Sequence, residues 1–495
     1  MREYTEQEIV RREKAEKLRT KNIDPFGSKF DITSDSKTIK ELYGNLTNEE
    51  LEEKDIEVVV AGRIMTKRGK GKAGFMNIQD RYSQIQIYVK YDNVGEDQYE
   101  IFNDSDLGDI VGIKGKVFRT HMGELSVKAF TYTHLVKALR PLPEKYHGLV
   151  DVEERFRRRY VDLIVNEDAR RVAFTRPKII RSIQKYLDDL GYVEVETPVL
   201  GTVLGGATAR PFTTHHNTLD IDMYLRIATE LSLKRLLVGG MDAVYEIGRL
   251  FRNEGMDRNH NPEFTTVELY KAYSDLDDMK KVCEELFRKV IYDVLGTYVI
   301  NWKGHDLDFS KPFKSANMID LIREKVGIDF SKDMTLEQAI ALAKEHNLEL
   351  KEHYKVGHII NAFFEEYVES TLIEPTFLCG HPIEISPLAK KSKDPRFVER
   401  FELFICGSEY ANAFTELNDP MDQRKRFEEQ INEKNLGNDE ANDMDEDFVE
   451  ALEYGMPPAG GMGIGIDRLV MMVTGSENIR EVILFPLMKN KKEGE

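Results

Sequence analysis

A run of short strand patterns between Ile56 and Leu139 constrains the fold of this chain more than any other feature. Val, Ile, Phe and Tyr recur there at strand spacing, and Gly-Lys turns and the tetrapeptide HMGE interrupt them. We predict three strands near residues 56–66, 73–80 and 84–90, and two more on either side of HMGE. A segment compatible with a short helix, near residues 96–103, separates the third strand from the fourth.

Five strands with a helix between the third and fourth match the order of an OB-fold barrel. Such barrels commonly bind single-stranded nucleic acid by stacking bases on aromatic side chains over a basic groove. Any other small antiparallel barrel would fit the same pattern, so the strand order alone leaves both a nucleic-acid-binding role and a purely structural role open.

The remaining chain is long enough for at least one further domain, because 495 residues exceed one ordinary domain. The patterns divide the whole chain into four parts: an N-terminal helical extension (1–50), the barrel (51–140), a linker rich in Pro and Arg (141–160) and a large α+β unit (161–495). Within that unit, a helical insertion is predicted at about 275–370. The fold class is therefore α+β and multidomain.

Composition excludes several classes of protein. A formal net charge of −18 argues against nucleic-acid binding by the whole surface, although a local basic patch stays compatible with it. No apolar run reaches the roughly 18 residues that a membrane span needs, and the N-terminus lacks the apolar segment of a signal peptide. The three cysteines are far apart, which is typical of a reducing cytoplasm. We expect a cytoplasmic protein without a membrane partner.

The stretch GRLFRNEGMDRNHNPEFTTVELY, Gly248 to Tyr270, has strand patterns at both ends of a charged loop. Side chains alternate faces along a strand, so one face of the hairpin is predicted to carry the five residues Arg252, Glu254, Phe264, Glu268 and Tyr270. A solvated surface hairpin could look the same. On a covered face, however, these polar groups need partners, and a ligand with both charge and an aromatic ring would supply them.

The segment SEYANAFTELN repeats this arrangement, because Asn412, Phe414 and Glu416 share parity. Glu402 and Glu409 flank a turn at CGS, so both carboxylates can reach one site although their parity differs. Paired carboxylate oxygens beside phosphates suggest Mg²⁺, and two solvated surface glutamates are the alternative.

The glycine-rich segment GGMGIGIDRLVMM matches neither a Walker A loop nor a dinucleotide-binding fingerprint. Its informative residue is Arg468, just inside the helix that follows the glycines. An arginine near a helix start, beside closely approaching backbone, is well placed to hold a terminal phosphate.

Together, these three segments resemble the three signature motifs of the class II aminoacyl-tRNA synthetases. The motifs are the helix and strand ending in GYVEVETPVL, the FRNE…HNPEFT hairpin and GGMGIGIDRL, and the resemblance covers about residues 50–490. An OB-like barrel ahead of them points to the subgroup that charges lysine, aspartate or asparagine. Within it, FRNEGMDRNHNPEFTTVELYKAY, HPIEISPLAK and ELNDP are similar to the lysine-specific members.

That resemblance implies a catalytic domain built on an antiparallel sheet flanked by helices. It also implies a homodimeric ligase that uses ATP and Mg²⁺ to activate L-lysine as lysyl-adenylate and passes the lysyl group to the 3′ end of tRNA(Lys).

The family's residue roles carry over to matching positions. Catalysis falls to Arg252, Glu254 and Arg468. ATP would be bound by Arg252, Glu254, His260, Phe264, Glu402, Glu409 and Arg468, with Mg²⁺ held by Glu402 and Glu409. Lysine would be bound by Gly206, Glu230, Arg252, Glu268, Tyr270, Asn412, Phe414 and Glu416. The anticodon would be read by Phe75, Gln86, Glu124 and Arg63 in the barrel.

A physical argument separates lysine from aspartate. An aspartate substrate would place a carboxylate against Glu416, and like charges in a closed pocket are costly. Three alternatives stay open: an aspartate- or asparagine-specific relative, a paralogue that lysylates a protein, and a tRNA-binding scaffold without activity. The paralogue is disfavoured by the presence of the barrel, and the scaffold by the joint retention of the motif residues.

Overall fold

The chain, described here from a computed structural model, divides into two compact units, Met1–Leu149 and Val150–Glu495. The structure describes residues 3–143, 149–438, 441 and 443–490. Residues 144–148 of the predicted linker therefore lie outside the described residues.

The first unit is built on a closed five-stranded barrel with strand order β1-β2-β3-β5-β4, which confirms the predicted OB-fold. Alternate residues of its strands are buried, such as Ile85, Ile87 and Val89, so the barrel interior is filled by branched side chains. The strands are β1 (Glu57–Lys70), β2 (Ala73–Gln79), β3 (Gln84–Lys90), β4 (Ile110–Arg119) and β5 (Leu125–Val136). The helices are α1 (Glu6–Thr20), α2 (Ser36–Tyr43), α3 (Asn48–Lys54), α4 (Tyr91–Val94) and α5 (Glu96–Asp104).

Helix α1 of the N-terminal extension is bound to the barrel by polar contacts. The Arg11 guanidinium donates to the carbonyls of Leu107 and Ala138 at 3.0 and 2.8 Å, and Lys14 pairs with Asp106 at 2.6 Å. The extension is thus part of the first unit.

The second unit centres on an eight-stranded sheet with order β14-β15-β16-β17-β18-β11-β10-β6. Its outermost pairs, β14–β15 and β6–β10, are parallel and all the others are antiparallel. The strands of this unit are β6 (Val193–Glu194), β7 (Leu200–Gly201), β8 (Thr213–His216), β9 (Ile221–Leu225), β10 (Ala243–Phe251), β11 (Glu263–Ala272), β12 (Val299–Trp302), β13 (His305–Asp308), β14 (Lys314–Asn317), β15 (Thr376–Cys379), β16 (Arg400–Ile405), β17 (Ser408–Thr415) and β18 (Ala459–Gly465).

Helices flank this sheet, as predicted. They are α6 (Val152–Arg157), α7 (Arg159–Val165), α8 (Glu167–Asp189), α9 (Glu230–Val238), α10 (Leu276–Leu295), α11 (Met318–Val326), α12 (Leu336–Glu345), α13 (Val356–Tyr367), α14 (Pro420–Asn435), α15 (Glu446–Glu453), α16 (Ile466–Thr474) and α17 (Ile479–Val482). The predicted helical insertion at about 275–370 spans α10 to α13 and also contains strands β12, β13 and β14.

The two faces of the large sheet differ in character. On one face, alternate strand residues such as Val267 and Leu269 pack in a core with apolar residues of α8, α10 and α16. The residues that alternate with them along the strand, such as Glu268 and Tyr270, point to the other face. One face of the sheet is therefore polar, and the opposite face is fixed in the apolar core. No helix among the described residues has both the length and the apolar character needed to cross a membrane.

Candidate functional site

A cavity of about 850 Å³ lies on the polar face of the large sheet. This volume is within the usual range of small-molecule sites, roughly 300–1,000 Å³. Of the residues predicted for the active site, the cavity is lined by Gly206, Glu230, Arg252, Glu254, His260, Phe264, Glu268, Tyr270, Glu402, Glu409, Asn412, Phe414 and Arg468. Glu416 is not part of the wall; its side chain is fully buried.

Strand register explains why residues far apart in sequence meet on this face. Directly paired residues of adjacent strands point to the same side of a sheet. Two rows therefore cross four strands: Tyr270, Gly461, Phe414 and Arg400, and then Glu268, Gly463, Asn412 and Glu402. The parity predicted for the two hairpins thus places their polar side chains on one surface.

Gly461 leaves room for the side chains on either side of it. A Cβ at this position would lie 2.1 Å from Glu416 Oε1 and 2.4 Å from Tyr270 Cε1. The glycine-rich strand β18 therefore makes room for side chains from β11 and from the end of β17, which is a different role from wrapping a phosphate.

We expect Gly461→Ala to destabilise the protein, because overpacking a full core typically costs about 1–3 kcal/mol. The midpoint of thermal unfolding should fall by roughly 2–4 °C or more. Gly465→Ala, on the same strand, is the matched control, since its nearest neighbour would be Arg468 Cβ at 4.0 Å. Equal midpoints for the two variants would contradict the packing that the structure shows around Gly461.

Arg252 follows the last residue of β10 and reaches into the cavity. Its backbone N–H donates to the Pro262 carbonyl at 2.8 Å, which extends the pairing with the opposite strand. The guanidinium carbon lies 5.1 Å from the centroid of the Phe264 ring. Its Nε is buried and has no hydrogen-bond partner among the described residues, so a strong donor is available for an anionic group.

The loop between β10 and β11 is connected to helix α16 through His260. His260 Nδ1 lies 2.8 Å from Asp257 Oδ2, and its Nε2 lies 3.2 Å from Arg468 Nη2. Arg468 also donates to the Glu409 carbonyl at 2.6 Å. The predicted phosphate-binding arginine is thereby held between the loop and strand β17.

A β-bulge decides how Glu402 and Glu409 are arranged. The pairing of β16 with β17 shifts by one residue between Leu403 and Phe404, so that Phe404 pairs with Glu409. Phe404 and Glu402 are two residues apart, and Glu409 therefore shares their face despite its parity. The two carboxylates that were predicted to act together do lie on the same wall of the cavity.

The two carboxyl groups differ in their electrostatics. Burial alone would raise the pKa of Glu402, but the Arg400 guanidinium and the His381 imidazole hold it well below its ordinary value. Arg400 Nη2 lies 2.5 Å from Glu402 Oε1, and His381 Nε2 lies 3.3 Å from Oε2. The pKa of Glu409 is raised by burial and by the nearby Glu402 charge.

This donor set is compatible with Mg²⁺. Mg²⁺ typically binds through one or two carboxylates, several waters and the phosphates of a substrate. Among the described residues, no group of three or more His, Cys, Asp and Glu side chains is arranged to hold a metal ion by itself. Two neighbouring carboxyl groups, of which Glu402 raises the pKa of Glu409, match a metal that phosphates help to hold.

The inner end of the cavity is acidic. Glu268 accepts the Thr229 N–H at 3.2 Å and the Tyr270 hydroxyl at 3.1 Å, and Glu230 lies beside it at the start of α9. Burial raises the pKa of both carboxyl groups and that of Glu416 behind the wall. Cationic groups of a ligand would therefore be strongly favoured here.

Sequence reasoning missed three charged or titratable residues of this site: Lys234, Arg400 and His381. Arg400 alternates with Glu402 along one strand, so the same parity argument could have found it. Lys234 is four residues after Glu230 on α9, a spacing typical of a helical ion pair, but its leucine neighbours made the segment look purely structural. No local signal marks His381.

The insertion also contributes to the cavity. His353, Tyr354, His358 and Glu365, in and before α13, line it on the side of Glu402. Tyr354 stacks on His358 with ring centroids 5.3 Å apart. The helical insertion is therefore one wall of the site.

The barrel of the first unit has an aromatic row on its outer surface. Phe75 lies 4.8 Å from Tyr88 between ring centroids, Tyr88 lies 6.0 Å from Phe118, and the Arg68 guanidinium is 5.6 Å from Phe75. Aromatic rings beside a cation are the usual surface for stacking single-stranded bases.

The other residues predicted to read the anticodon lie near this row, apart from Arg63. Gln86 lies two residues before Tyr88 on β3, with its Oε1 3.4 Å from Ser126 Oγ. Glu124 is exposed just before β5. Arg63 donates to the Gly108 carbonyl at 2.8 Å and is half-buried, so its guanidinium has a partner within the unit.

Comparison with known proteins agrees with both units. Residues 151–489 match the family model of tRNA synthetases class II (D, K and N). Residues 58–135 match the OB-fold nucleic acid binding domain. A lysine–tRNA ligase of Bacillus subtilis (strain 168) is 59% identical over 490 residues, which cover 99% of this chain and 98% of that protein. A lysine–tRNA ligase of Bacillus cytotoxicus is 58% identical over 492 residues, 99% of each chain.

Proposed function

Since the chain belongs to the class II tRNA synthetases of the D, K and N group, we propose that it activates L-lysine with ATP and transfers the lysyl group to the 3′ end of tRNA(Lys). The first step forms lysyl-adenylate and pyrophosphate. In the second, a hydroxyl of the terminal ribose attacks the lysyl carbonyl carbon, an ester forms, and the acyl–phosphate bond breaks to release AMP. The observation that carries this proposal is the acidic inner end of the cavity, where Glu230, Glu268 and Tyr270 surround a space beside the Phe414 ring.

Arg252 is the residue that we assign to the transfer of the adenylyl group. Its guanidinium would bind the carboxylate of lysine and the α-phosphate of ATP at once, which holds nucleophile and electrophile in line. It would also neutralise the charge that develops at phosphorus. The unpartnered Nε and the contact of the guanidinium with Phe264 support this role. No covalent enzyme intermediate is required, because positioning and charge neutralisation suffice for such a step.

ATP would lie along the loop and strand β11. Phe264 is half-buried on the cavity wall, where its ring can stack on adenine, and Glu254 and His260 lie on the loop beside it. Arg468, held by Glu409 and His260, would contact the terminal phosphates. The helix that carries Arg468 begins at the end of β18, so its position depends on the sheet and not on a mobile loop.

Glu402 and Glu409 would hold Mg²⁺. Bound there, Mg²⁺ supplies charge neutralisation at the phosphate oxygens of ATP. Arg400 and His381 orient the Glu402 carboxylate for this task from two sides.

Selection of lysine over aspartate or asparagine follows from the charge of the pocket. A side-chain carboxylate would face Glu230, Glu268 and the buried Glu416, and like charges in a closed pocket are costly. A neutral amide would leave these carboxylates without a cation. A site built to pair a buried polar group rejects analogues without it by up to about 10⁴–10⁵-fold.

The test is the exchange of labelled pyrophosphate into ATP with lysine, aspartate and asparagine in separate reactions. We expect exchange with lysine and a rate near background with the other two. Exchange with aspartate or asparagine would assign the chain to another member of the group. Exchange with none of the three would indicate a tRNA-binding protein without activating activity.

The aromatic row on the barrel supports recognition of the tRNA anticodon by Phe75, Gln86 and Glu124. For Arg63, whose guanidinium donates to the Gly108 carbonyl, the proposal rests on the family resemblance alone. Stacking between a base and an aromatic ring contributes about 1–3 kcal/mol. We expect Phe75→Ala to weaken binding of tRNA(Lys) roughly 10- to 100-fold and to leave lysine-dependent pyrophosphate exchange unchanged, because that reaction uses no tRNA.

A filter-binding titration with tRNA(Lys) measures the effect of Phe75→Ala. Phe130→Ala is its control, since Phe130 is another half-buried aromatic of the barrel, on β5, with the Lys116 ammonium 5.7 Å from its ring. Equal affinities of both variants and the unmodified protein would rule out Phe75 as a stacking platform.

We also propose a homodimer that works in the cytoplasm. The segment from Thr175 to Leu200, which resembles the dimer-forming motif of the family, has four exposed apolar side chains: Leu190, Val193, Val199 and Leu200. A contiguous patch of exposed apolar residues marks an interaction surface, and these four side chains are our candidates for such a patch.

A further inference from the structure

Lys234 is the one charged residue of α9 that is fully buried. Leu233 and Leu237 beside it are also buried, so its stem crosses an apolar layer. Its Nζ lies 2.5 Å from Glu230 Oε1 and forms a second ion pair with Glu416 Oε2. A buried ammonium is tolerated only when it is paired and hydrogen-bonded, so these two carboxylates define its position.

The two partners of Lys234 have different locations. Glu230 is on the cavity wall, whereas Glu416 lies behind it with no exposed surface. The Lys234 ammonium is also 5.2 Å from the centroid of Phe414, which lines the same part of the cavity. Lys234 therefore connects a carboxylate that a ligand can touch with a carboxylate that closes the inner end of the pocket.

The charges of this region match a ligand with two ammonium groups. Three buried carboxyl groups, those of Glu230, Glu268 and Glu416, share one ammonium, that of Lys234. Burial raises the pKa of each of the three, so further cations from a ligand would stabilise their ionised forms. Free lysine has an α-ammonium and an ε-ammonium, and its carboxylate is assigned to Arg252. An amino acid with only one ammonium would leave one of the three buried carboxyl groups without a cationic partner, and that contact would be lost.

Lys234 also fixes distances. One Nζ forms ion pairs with both Glu230 and Glu416. The distance between the two carboxylates is therefore set by the ammonium that lies between them. Burial alone would lower the pKa of Lys234, but the two carboxylates raise it above its ordinary value, so the ammonium stays charged. Glu416 Oε1 has no hydrogen-bond partner among the described residues, so the ion pair with Lys234 is the contact that orients this group.

We propose that Lys234 is a specificity-determining residue: its ammonium holds Glu230 and Glu416 in place and closes the inner end of the pocket, so that the pocket accepts a diamino acid with a side chain of lysine's length. This inference rests on the proposed activation of lysine. Lys234 acts through the two carboxylates and is a positioning residue.

Lys234→Met tests this, because methionine keeps most of the length of the side chain and removes its charge. Pyrophosphate exchange is measured with lysine and with ornithine, which is one methylene shorter, and KM is determined for lysine and for ATP. A single methylene is commonly discriminated roughly 10- to 200-fold. We expect the ratio of kcat/KM for lysine to that for ornithine to fall about tenfold or more, with a higher KM for lysine and an unchanged KM for ATP.

Lys289→Met is the matched control. Lys289 also pairs with an acid four residues away on a helix, Asp293 at 2.9 Å, but both side chains are partly exposed and neither lines the cavity. We expect this variant to keep the lysine-to-ornithine ratio and both KM values of the unmodified protein.

The outcomes separate the two proposals. Without lysine-dependent exchange in the unmodified protein, the proposed function fails and this inference with it. If that exchange is present but Lys234→Met keeps the lysine-to-ornithine ratio, only the role of Lys234 is overturned. Equal losses with both amino acids, together with a lower unfolding temperature, would show a purely structural role and overturn it as well.

If Lys234→Met does not fold, Lys234→Arg tests the proposed role of Lys234 instead. The guanidinium keeps the charge but extends further and would displace both carboxylates, so the lysine-to-ornithine ratio should again fall about tenfold. An unchanged ratio in Lys234→Arg would overturn the proposal.

Discussion

Lysine-dependent pyrophosphate exchange is expected to fall about 10³-fold or more when Arg252 is replaced by alanine. The guanidinium lies beside the Phe264 ring, and its Nε has no partner among the described residues. Removing one preorganised donor to a developing charge commonly costs about 10²–10³-fold in rate. A group that also places the two reactants in line adds the loss of orientation to that cost. Most of the loss should appear in kcat, because the charge that Arg252 neutralises develops in the transition state.

Arg249→Ala is the matched control for this prediction. Arg249 is on the same strand, but its residue parity places it on the opposite face, where it pairs with Glu263 at 3.6 Å. This variant should keep the exchange rate of the unmodified protein. An Arg252→Ala protein that still exchanges at nearly the original rate would remove Arg252 from the reaction and would leave the acidic pocket as the main support for the proposed function.

Much of the fold could be predicted because both units are built on β-strands, in which side chains alternate between the two faces every second residue. The two-residue alternation of strands places Phe264, Glu268 and Tyr270 on one face, and the register of β11 with β18 confirms this arrangement. The same alternation found Asn412 and Phe414 on β17. The five strands of the barrel were predicted from runs of Val, Ile, Phe and Tyr between turns. Strands β2 and β3 also show a regular alternation of buried and partly buried residues.

The position of Glu409 could not be derived from that alternation. By parity it belongs on the face opposite Glu402, and the bulge between Leu403 and Phe404 restores it to the same face. A bulge inserts one residue into a strand without a composition signal of its own. The two glutamates were predicted to act together because they flank the turn at CGS and match family positions, and the bulge supplies the physical reason for their shared face.

Lys234 shows a different limit. Its helix reads as an apolar segment, and nothing in it indicates that the lysine crosses the layer to reach Glu416, 182 positions further along the chain. Contacts of this kind depend on how α9 packs against the end of β17, and tertiary packing has no local sequence signature. The ligand contacts of Gly206, Glu230 and Glu416 stay predictions. The variants at Lys234 test those of Glu230 and Glu416, because Lys234 pairs with these two residues.

Dependence on Mg²⁺ should change most strongly in Glu409→Gln. Glutamine keeps the size of the side chain but removes one of the two negative charges on the metal-facing wall. Because metal-assisted neutralisation of phosphates contributes several kcal/mol, exchange at limiting Mg²⁺ should fall about 10²–10³-fold. We expect part of this loss to be recovered at high Mg²⁺, since Glu402, held by Arg400 and His381, still offers one carboxylate. A titration of exchange rate against Mg²⁺ concentration measures both effects.

Glu263→Gln is the control for Glu409→Gln, because Glu263 is a partly exposed glutamate at the start of β11 whose parity places it on the opposite face of the sheet. It should leave the Mg²⁺ titration unchanged. The pattern that would contradict a metal site is a uniform loss in Glu409→Gln that no Mg²⁺ concentration relieves. In that case the role of Glu409 would be the support of Arg468, which donates to the Glu409 carbonyl at 2.6 Å and whose Nη1 lies 3.8 Å from Glu409 Oε2. Relief by Mg²⁺ separates these two roles, because added metal can compensate for a missing ligand but cannot restore a displaced arginine.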